Sequence, residues 1–219
     1  MVSAIYFVMR TGQPWRDLPD EFQPWSSVYT RFRRWCADGL WSKMHALLSA
    51  DPCGTIRSID CTHIKVHQDG SNAAGGASAQ TVGKTKGGSN TKLAAVVDGL
   101  GRATGLALAA GSRHDLRVIA ALIDKLAGCR VVGDRGFDAA SFRQQLRAAE
   151  ATPCIPPRKS NAIQHYYSEQ LYAHRHVIEN FFARIKRLRR ISTRYEKLSE
   201  TFLGFVTFAA VVDWLHFEV

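Results

Sequence analysis

Thr55-Ile-Arg-Ser-Ile-Asp-Cys-Thr-His-Ile-Lys-Val66 is the stretch on which the fold turns. β-Branched residues at Thr55, Ile56, Ile59, Thr62, Ile64 and Val66 restrict χ1 and suit a pleated, half-buried backbone, so a strand is predicted here. After it, a loop rich in Gly, Ser, Ala and Asn is expected from about Gln68 to Asn90. Two apolar runs, Thr91–Val97 and Ala103–Ala109, flank Asp98-Gly-Leu-Gly101 and predict a hairpin. Leu116–Leu126 reads as helix, Arg130–Asp134 as a short buried strand and Ala139–Glu150 as helix. Thr152–Ile155 reads as an extended segment ended by Pro156-Pro157. A long helix from about Tyr167 to Arg190 and a C-terminal helix near Ser199–Phe217 complete the series.

Three strands, a helix, a strand, a helix, a strand and a helix are the element order of the ribonuclease H fold. An α/β domain over residues 51–219 is therefore expected, with a mixed five-stranded sheet and flanking helices. That fold puts catalytic carboxylates on its first strand, at the end of its fourth and on a late helix. Asp60 and Asp134 occupy the first two places. Asp134 ends Val131-Val-Gly-Asp134, and Arg135-Gly136 turns the chain away, which displays the carboxylate at the sheet edge. Either aspartate alone also reads as a helix cap or turn residue.

The third carboxylate is placed by helix geometry. At about 100° per residue, with Glu179 at zero, Tyr172 falls at about 20°, Arg175 at about −40°, Lys186 at about −20° and Arg190 at about 20°. Val177, Ile178, Phe181, Phe182, Ile185 and Leu188 cover the remaining arc. One acid on a narrow stripe of cations and a tyrosine suits a metal ligand among phosphate handles. An i,i+4 surface pair of Arg175 with Glu179 is the alternative.

Charge points to the same chemistry. The 219 residues carry 29 Lys/Arg against 19 Asp/Glu, a net charge of +10, and phosphate attraction is the commonest reason for such a surplus. Between Arg158 and Lys197 lie ten Lys/Arg and three acids; Arg184, Arg187 and Arg190 belong to a run from Arg184 to Arg194 with no acid at all. Residues 1–50 are punctuated by Pro14, Pro19 and Pro24 and hold four of the five tryptophans, among Arg16, Arg31, Arg33 and Arg34. They are expected to form a small helical module, either DNA-binding or a plain Trp-cored hairpin. The loop lysines Lys84, Lys86 and Lys92 are expected near DNA. Gly83-Lys-Thr85 does not complete a P-loop, since Ser78 stands where that motif needs glycine. The five cysteines lack a Cys-x-x-Cys pair and suit a reducing cytoplasm. No apolar run reaches the length of a membrane span, and Asp213 interrupts the longest.

Phosphodiester cleavage and joining use two Mg²⁺ ions about 4 Å apart. Hard cations take oxygen ligands and keep several waters, so two or three carboxylates suffice, with Mn²⁺ as a substitute. Lys186 and Arg175 are placed to neutralise phosphate oxygens. His63, His67 and His114 are expected to hydrogen-bond or touch DNA rather than ligate such a metal.

At these residues the chain resembles the DDE transposases of the IS-four and IS-five groups of bacterial insertion sequences. Tyr172, Arg175, Glu179 and Lys186 match the Y-(2)-R-(3)-E-(6)-K signature without gaps. Asp60-Cys-Thr-His-Ile-Lys-Val-His67, Gly111-Ser-Arg-His-Asp115, Gly133-Asp-Arg-Gly-Phe-Asp138 and Arg194-Tyr-Glu-Lys197 look like the family's blocks in its order. Arg10-Thr-Gly-Gln-Pro-Trp-Arg-Asp-Leu-Pro19 and Tyr29-Thr-Arg-Phe-Arg-Arg-Trp35 look like the N-terminal module of the IS-five branch. The resemblance implies a catalytic, metal-binding triad of Asp60, Asp134 and Glu179, with Tyr172, Arg175 and Lys186 at DNA phosphates. It implies double-stranded DNA partners, namely terminal inverted repeats and target DNA, a homodimer on DNA, and a nucleoid-associated, cytoplasmic protein. Relatives begin some tens of residues earlier, so a shortened first module with incomplete end recognition is expected. Only about ten residues separate Ile155 from Tyr166, which leaves no room for the insertion some relatives carry. Two other readings stay open: a ribonuclease H-like nuclease without joining activity, and a truncated, non-catalytic DNA-binding derivative.

Overall fold

A computed structural model describes residues 1–71 and 75–216. Strand β1 (Ile56–Val66) runs through the middle of a single sheet. On one side β3 (Gly88–Val97) pairs with it antiparallel, and β4 (Ala103–Ala110) pairs antiparallel with β3. On the other side β5 (Arg130–Val132) and then β6 (Thr152–Cys154) run parallel to it. These five strands are the mixed sheet of the ribonuclease H-like fold that the element order predicts. Two short additions bring the sheet to seven strands: β2 (Gly83–Thr85) prolongs the β3 edge, and β7 (Thr193–Arg194) joins the far end of β1.

The two faces of the sheet bury different partners because successive side chains alternate. Ile59, Ala94, Val96 and Val131 pack with Val118 and Ile119 of α6 (Asp115–Ile119) and with Phe142 and Leu146 of α7 (Ala140–Ala148). Ile64, Leu93, Ala95 and Val97 face α9 (His176–Ile185) and α11 (Ser199–His216). Helix α11 is apolar on every side and buried on every side, from Phe202 to Trp214. A helix without a polar stripe needs cover all round, and the N-terminal helices α1 (Val2–Thr11), α2 (Trp25–Ala37) and α3 (Leu40–Leu48) supply the outer layer. Phe32 meets Phe205 at 4.3 Å and Trp41 meets Phe208 at 4.4 Å between ring centroids. Each such buried ring contributes about 2–3 kcal/mol. Gly204 lets α2 come this close, since a Cβ there would lie 2.3 Å from the Cys36 sulfur. One carbonyl joins both ends of the chain: Ala103 O accepts from Trp214 Nε1 at 2.6 Å and bonds His45 Nε2 at 2.9 Å.

Several expectations need correction. The segment read as a loop holds two short helices, α4 (Gln68–Ser71) and α5 (Gly76–Ala79), besides β2; its residues 72–74 lie outside the described part, as does the expected helix end at Phe217. The helix read over Leu116–Leu126 leaves α geometry after Ile119 and kinks at Leu122 (φ −111°, ψ 18°). The long helix is not one helix. It runs as α8 (Glu169–Tyr172), a 3₁₀ turn over Ala173–Arg175, and α9. Leu188 is then extended, and α10 (Arg189–Ser192) begins in a new direction. Neither Pro nor Gly breaks it. The break turns Ile191, wholly buried, toward α1 and delivers the chain to β7 beside β1, a tertiary gain that outweighs helix propensity.

Candidate active site

Register brings the two aspartates together. Ser58 pairs with Val132 across the parallel β1–β5 ladder, and Asp60 and Asp134 each stand two residues further on. The two-residue period of the strand sets Asp60 on the face that carries α9 and the Ala173–Arg175 turn, where Ser58 Oγ reaches His174 O at 3.4 Å. Asp134, just past the end of β5, lies near enough to act on the Asp60 carboxyl. Asp134 also starts the next turn, accepting from Gly136 N at 2.8 Å.

Asp60 is the less exposed of the pair Asp60 and Glu179, its side chain 19% exposed. Burial pushes its carboxyl above the ordinary aspartate value, and the charges of Asp134 and Asp115 push the same way. The Cys61 amide, donating at 2.8 Å, and Arg175 act against this rise. Glu179, on α9, is over half exposed at 54%. Arg175 spans the two: Nη2 donates to Asp60 Oδ2 at 3.2 Å and Nη1 to Glu179 Oε1 at 2.5 Å. Burial disfavours its charge, yet Asp60, Glu179 and Tyr172 outweigh that and raise its pKa. The i,i+4 pair of Arg175 with Glu179 is therefore present, and it is part of the site. Asp134 does not share the Arg175 contact. Among the described residues no three His, Cys, Asp or Glu side chains converge closely enough to hold one ion.

Lys186 lies one step along β1. Its ammonium donates to Thr62 Oγ1 at 2.5 Å and reaches His63 O at 3.5 Å. Burial lowers its pKa. A half-buried cation bonded to a hydroxyl and a backbone carbonyl is suited to an incoming anion. Tyr172 stands edge-on to Tyr167 at 5.7 Å.

The remaining basic residues divide. Arg187 is exposed, as are Arg31, Arg33 and Arg34 along α2, with Arg31 over the Trp35 ring at 5.9 Å. Arg190 is a correction. Because the helix ends at Ile185, it leaves the Glu179 stripe, becomes buried, and bonds Glu196 Oε1 at 2.9 Å and Gln13 O at 2.6 Å. Arg184 ties α9 to Asp213 at 2.7 Å and to Gly101 O at 2.7 Å, so its charge is used in holding the hairpin and α11. Lys92 is buried on β3 against Asp115 and the Arg113 carbonyl. His63 bonds Asn90 Oδ1 at 2.8 Å, and the His67 ring lies tilted against Tyr195 at 4.8 Å. The described cysteines are free, and burial drives the Cys61 thiol upward, which keeps it a protonated packing group.

The sequence reading missed the device behind Asp134. Buried Asp138 accepts from Arg143 Nε at 2.8 Å, Arg158 N at 2.7 Å and Asn161 Nδ2 at 2.7 Å. Arg158 in turn donates to Arg135 O at 2.8 Å and Gly136 O at 2.5 Å, which fixes the turn that displays Asp134. Burial would raise the Asp138 carboxyl, but these donors hold it below the ordinary carboxylate value. The one signal for it was Asp138 inside the Gly133–Asp138 block.

The family model described as "Transposase DDE domain" matches residues 51–212, and that described as "Putative transposase of IS4/5 family" matches residues 1–45. The chain is 35% identical over 130 residues to "Putative transposase for insertion sequence element IS6501" of Brucella ovis, covering 57% of this chain and 98% of that protein. It is 45% identical over 51 residues to "Insertion element IS402 uncharacterized 16.2 kDa protein" of Burkholderia cepacia, covering 22% of this chain and 35% of that protein. Against "Uncharacterized protein y4sN" of Sinorhizobium fredii it is 31% identical over 72 residues, 33% of this chain and 58% of that one. No solved structure matches. Among the described residues no helix is long and apolar enough to cross a membrane. The chain belongs to the transposase DDE domain family and is an insertion-sequence transposase of the IS4/5 group.

Proposed function

We propose that this transposase cuts double-stranded DNA at the terminal inverted repeats of its element and joins those ends to target DNA, using Asp60, Asp134 and Glu179 as metal-binding carboxylates. The observation that carries the reading is Arg175, which bridges Asp60 and Glu179, while Asp134 lies near enough to Asp60 to press on its carboxyl. The donors fit a hard divalent ion: all are carboxylate oxygens, and Asp60 is desolvated with a second carboxylate pressing on it. Two Mg²⁺ ions, with Mn²⁺ as a substitute, supply Lewis acidity at the attacking and leaving oxygens when bound.

The chain's own groups do the rest. A scissile phosphate at the Asp60–Asp134 edge draws Arg175 from Glu179, because a guanidinium binds phosphate and carboxylate by the same fork. Glu179, exposed at the helix surface, is then free to turn toward the aspartates. Lys186, with Thr62 and His63 as neutral partners, takes a second phosphate oxygen, and Tyr172 lines the approach. Arg187, Arg31, Arg33 and Arg34 contribute charge to duplex DNA, which positions it without reading sequence. A homodimer holding two ends is the expected assembly. The test is incubation of the full chain with end-repeat DNA, target plasmid and Mg²⁺. Nicked ends and joined products support the reading, nicks without joined products leave a nuclease, and DNA binding without cleavage in Mg²⁺ or Mn²⁺ leaves a DNA-binding derivative.

A further inference from the structure

A cavity of about 690 Å³ opens between the N-terminal helices and the corner that joins β7 to α11. Trp15, Trp25, Tyr29 and Tyr195 line it, and Arg16 and Lys197 stand exposed at its edge. Trp15 is fixed from behind, with Phe205 stacked on it at 5.9 Å and Phe32 at 5.6 Å. Trp25 is 37% exposed and carries the Arg16 guanidinium over its ring at 5.4 Å. In the adjoining wall Arg190 pairs with Glu196 at 2.9 Å, and its guanidinium lies over the Tyr195 ring at 5.2 Å from the centroid. The fold thus sets flat aromatic rings beside Arg16 and Lys197, with one acid, Asp69, also in the lining.

We propose that this cavity is a binding site for an unpaired nucleotide, with its base against Tyr195 and Trp25 and its phosphates at Arg16 and Lys197. Aromatic faces with flanking cations are what single-stranded nucleic acid requires, since every base has a π-face and every linkage a negative charge. Position adds to this. From Asp60, β1 passes Thr62, which Lys186 contacts, and ends at Val66 beside β7, followed by His67 tilted against Tyr195. Six residues of strand cover about 20 Å, the length of about six nucleotides of one DNA strand. A strand end displaced from the duplex near the carboxylates can therefore reach the cavity.

The inference rests on DNA as the substrate of this site, and the test separates the two. Binding of the full chain is measured by fluorescence anisotropy with three labelled DNAs: a blunt duplex, the same duplex with six unpaired thymidines, and the same extension built from abasic sites. The thymidine extension is expected to tighten binding about tenfold over both other DNAs, and Trp25→Ala and Tyr195→Leu each to remove that gain while blunt-duplex affinity holds. Equal affinity of wild-type protein for thymidine and abasic extensions overturns the site while duplex binding leaves the DNA substrate standing. Absence of salt-dependent duplex binding overturns both.

Discussion

Arg175 reaches Asp60 across 115 residues of chain, its Nη2 at 3.2 Å from Oδ2, while its other terminal nitrogen holds Glu179. One planar fork thus ties the late helix to the first strand. A lysine keeps the charge but cannot serve two carboxylates in this way. Arg175→Lys is expected to slow cleavage about tenfold, roughly 1.4 kcal/mol, while duplex affinity changes less than twofold. Single-turnover cleavage beside a binding titration checks it. Unchanged cleavage in Arg175→Lys would reduce the arginine to a surface ion pair.

Lys186 has neutral partners in Thr62 and His63, so its charge is available to DNA. Lys186→Ala is expected to lower the slope of log K against log salt by about one, with melting temperature little altered. An unchanged slope contradicts the phosphate role.

Asp138 gives a pH dependence. Its folded pKa is depressed below the ordinary 3.8, so it contributes stability above that value and loses the contribution as pH falls through the lower, folded pKa. Asp138→Asn should cost about 3–5 kcal/mol at pH 7, and the gap from wild type should narrow below about pH 4. Because Arg158 leans on both Asp138 and the Asp134 turn, the variant should also cut more slowly at neutral pH. Urea unfolding at pH 7 and pH 3 supplies the comparison, and a gap that is equal at both pH values counts against the linkage.

Phe205 joins the N-terminal helices to the catalytic sheet through Phe32 and Trp15. Phe205→Ala should cost about 3–5 kcal/mol. Because that core is shared, tryptophan fluorescence, dominated by residues 1–50, and far-UV circular dichroism should report one coincident transition in the wild-type chain. Two separate transitions would show an independently folded first module.

Much of this was legible in the chain. The β-branched run around Asp60, the Gly-Leu-Gly hairpin turn and the strand ending at Asp134 all carry local signals, and the five main strands lie where those signals fall. Glu179, Arg175 and Lys186 were placed by helix period, which holds from Glu169 to Ile185 with only a 3₁₀ turn inside. Arg190 was misplaced because nothing local ends the helix: the burial of Ile191 and the pairing of Arg190 with Glu196 are tertiary facts. Strands β2 and β7 escaped notice for the same reason, as two- and three-residue additions fixed by their neighbours. Arg143 and Arg158 look like surface cations in sequence, and only the fold brings them to Asp138.

The triad itself is tested most directly by cleavage of end-repeat DNA in Mg²⁺ with Asp60→Asn, Asp134→Asn and Glu179→Gln. Each substitution keeps the size and one acceptor oxygen but removes the charge. The expected result is a fall of at least about a hundredfold in each variant, with duplex affinity and melting temperature near wild type. Cleavage near the wild-type rate in any two of the three would contradict the assignment of these carboxylates as the metal-binding site.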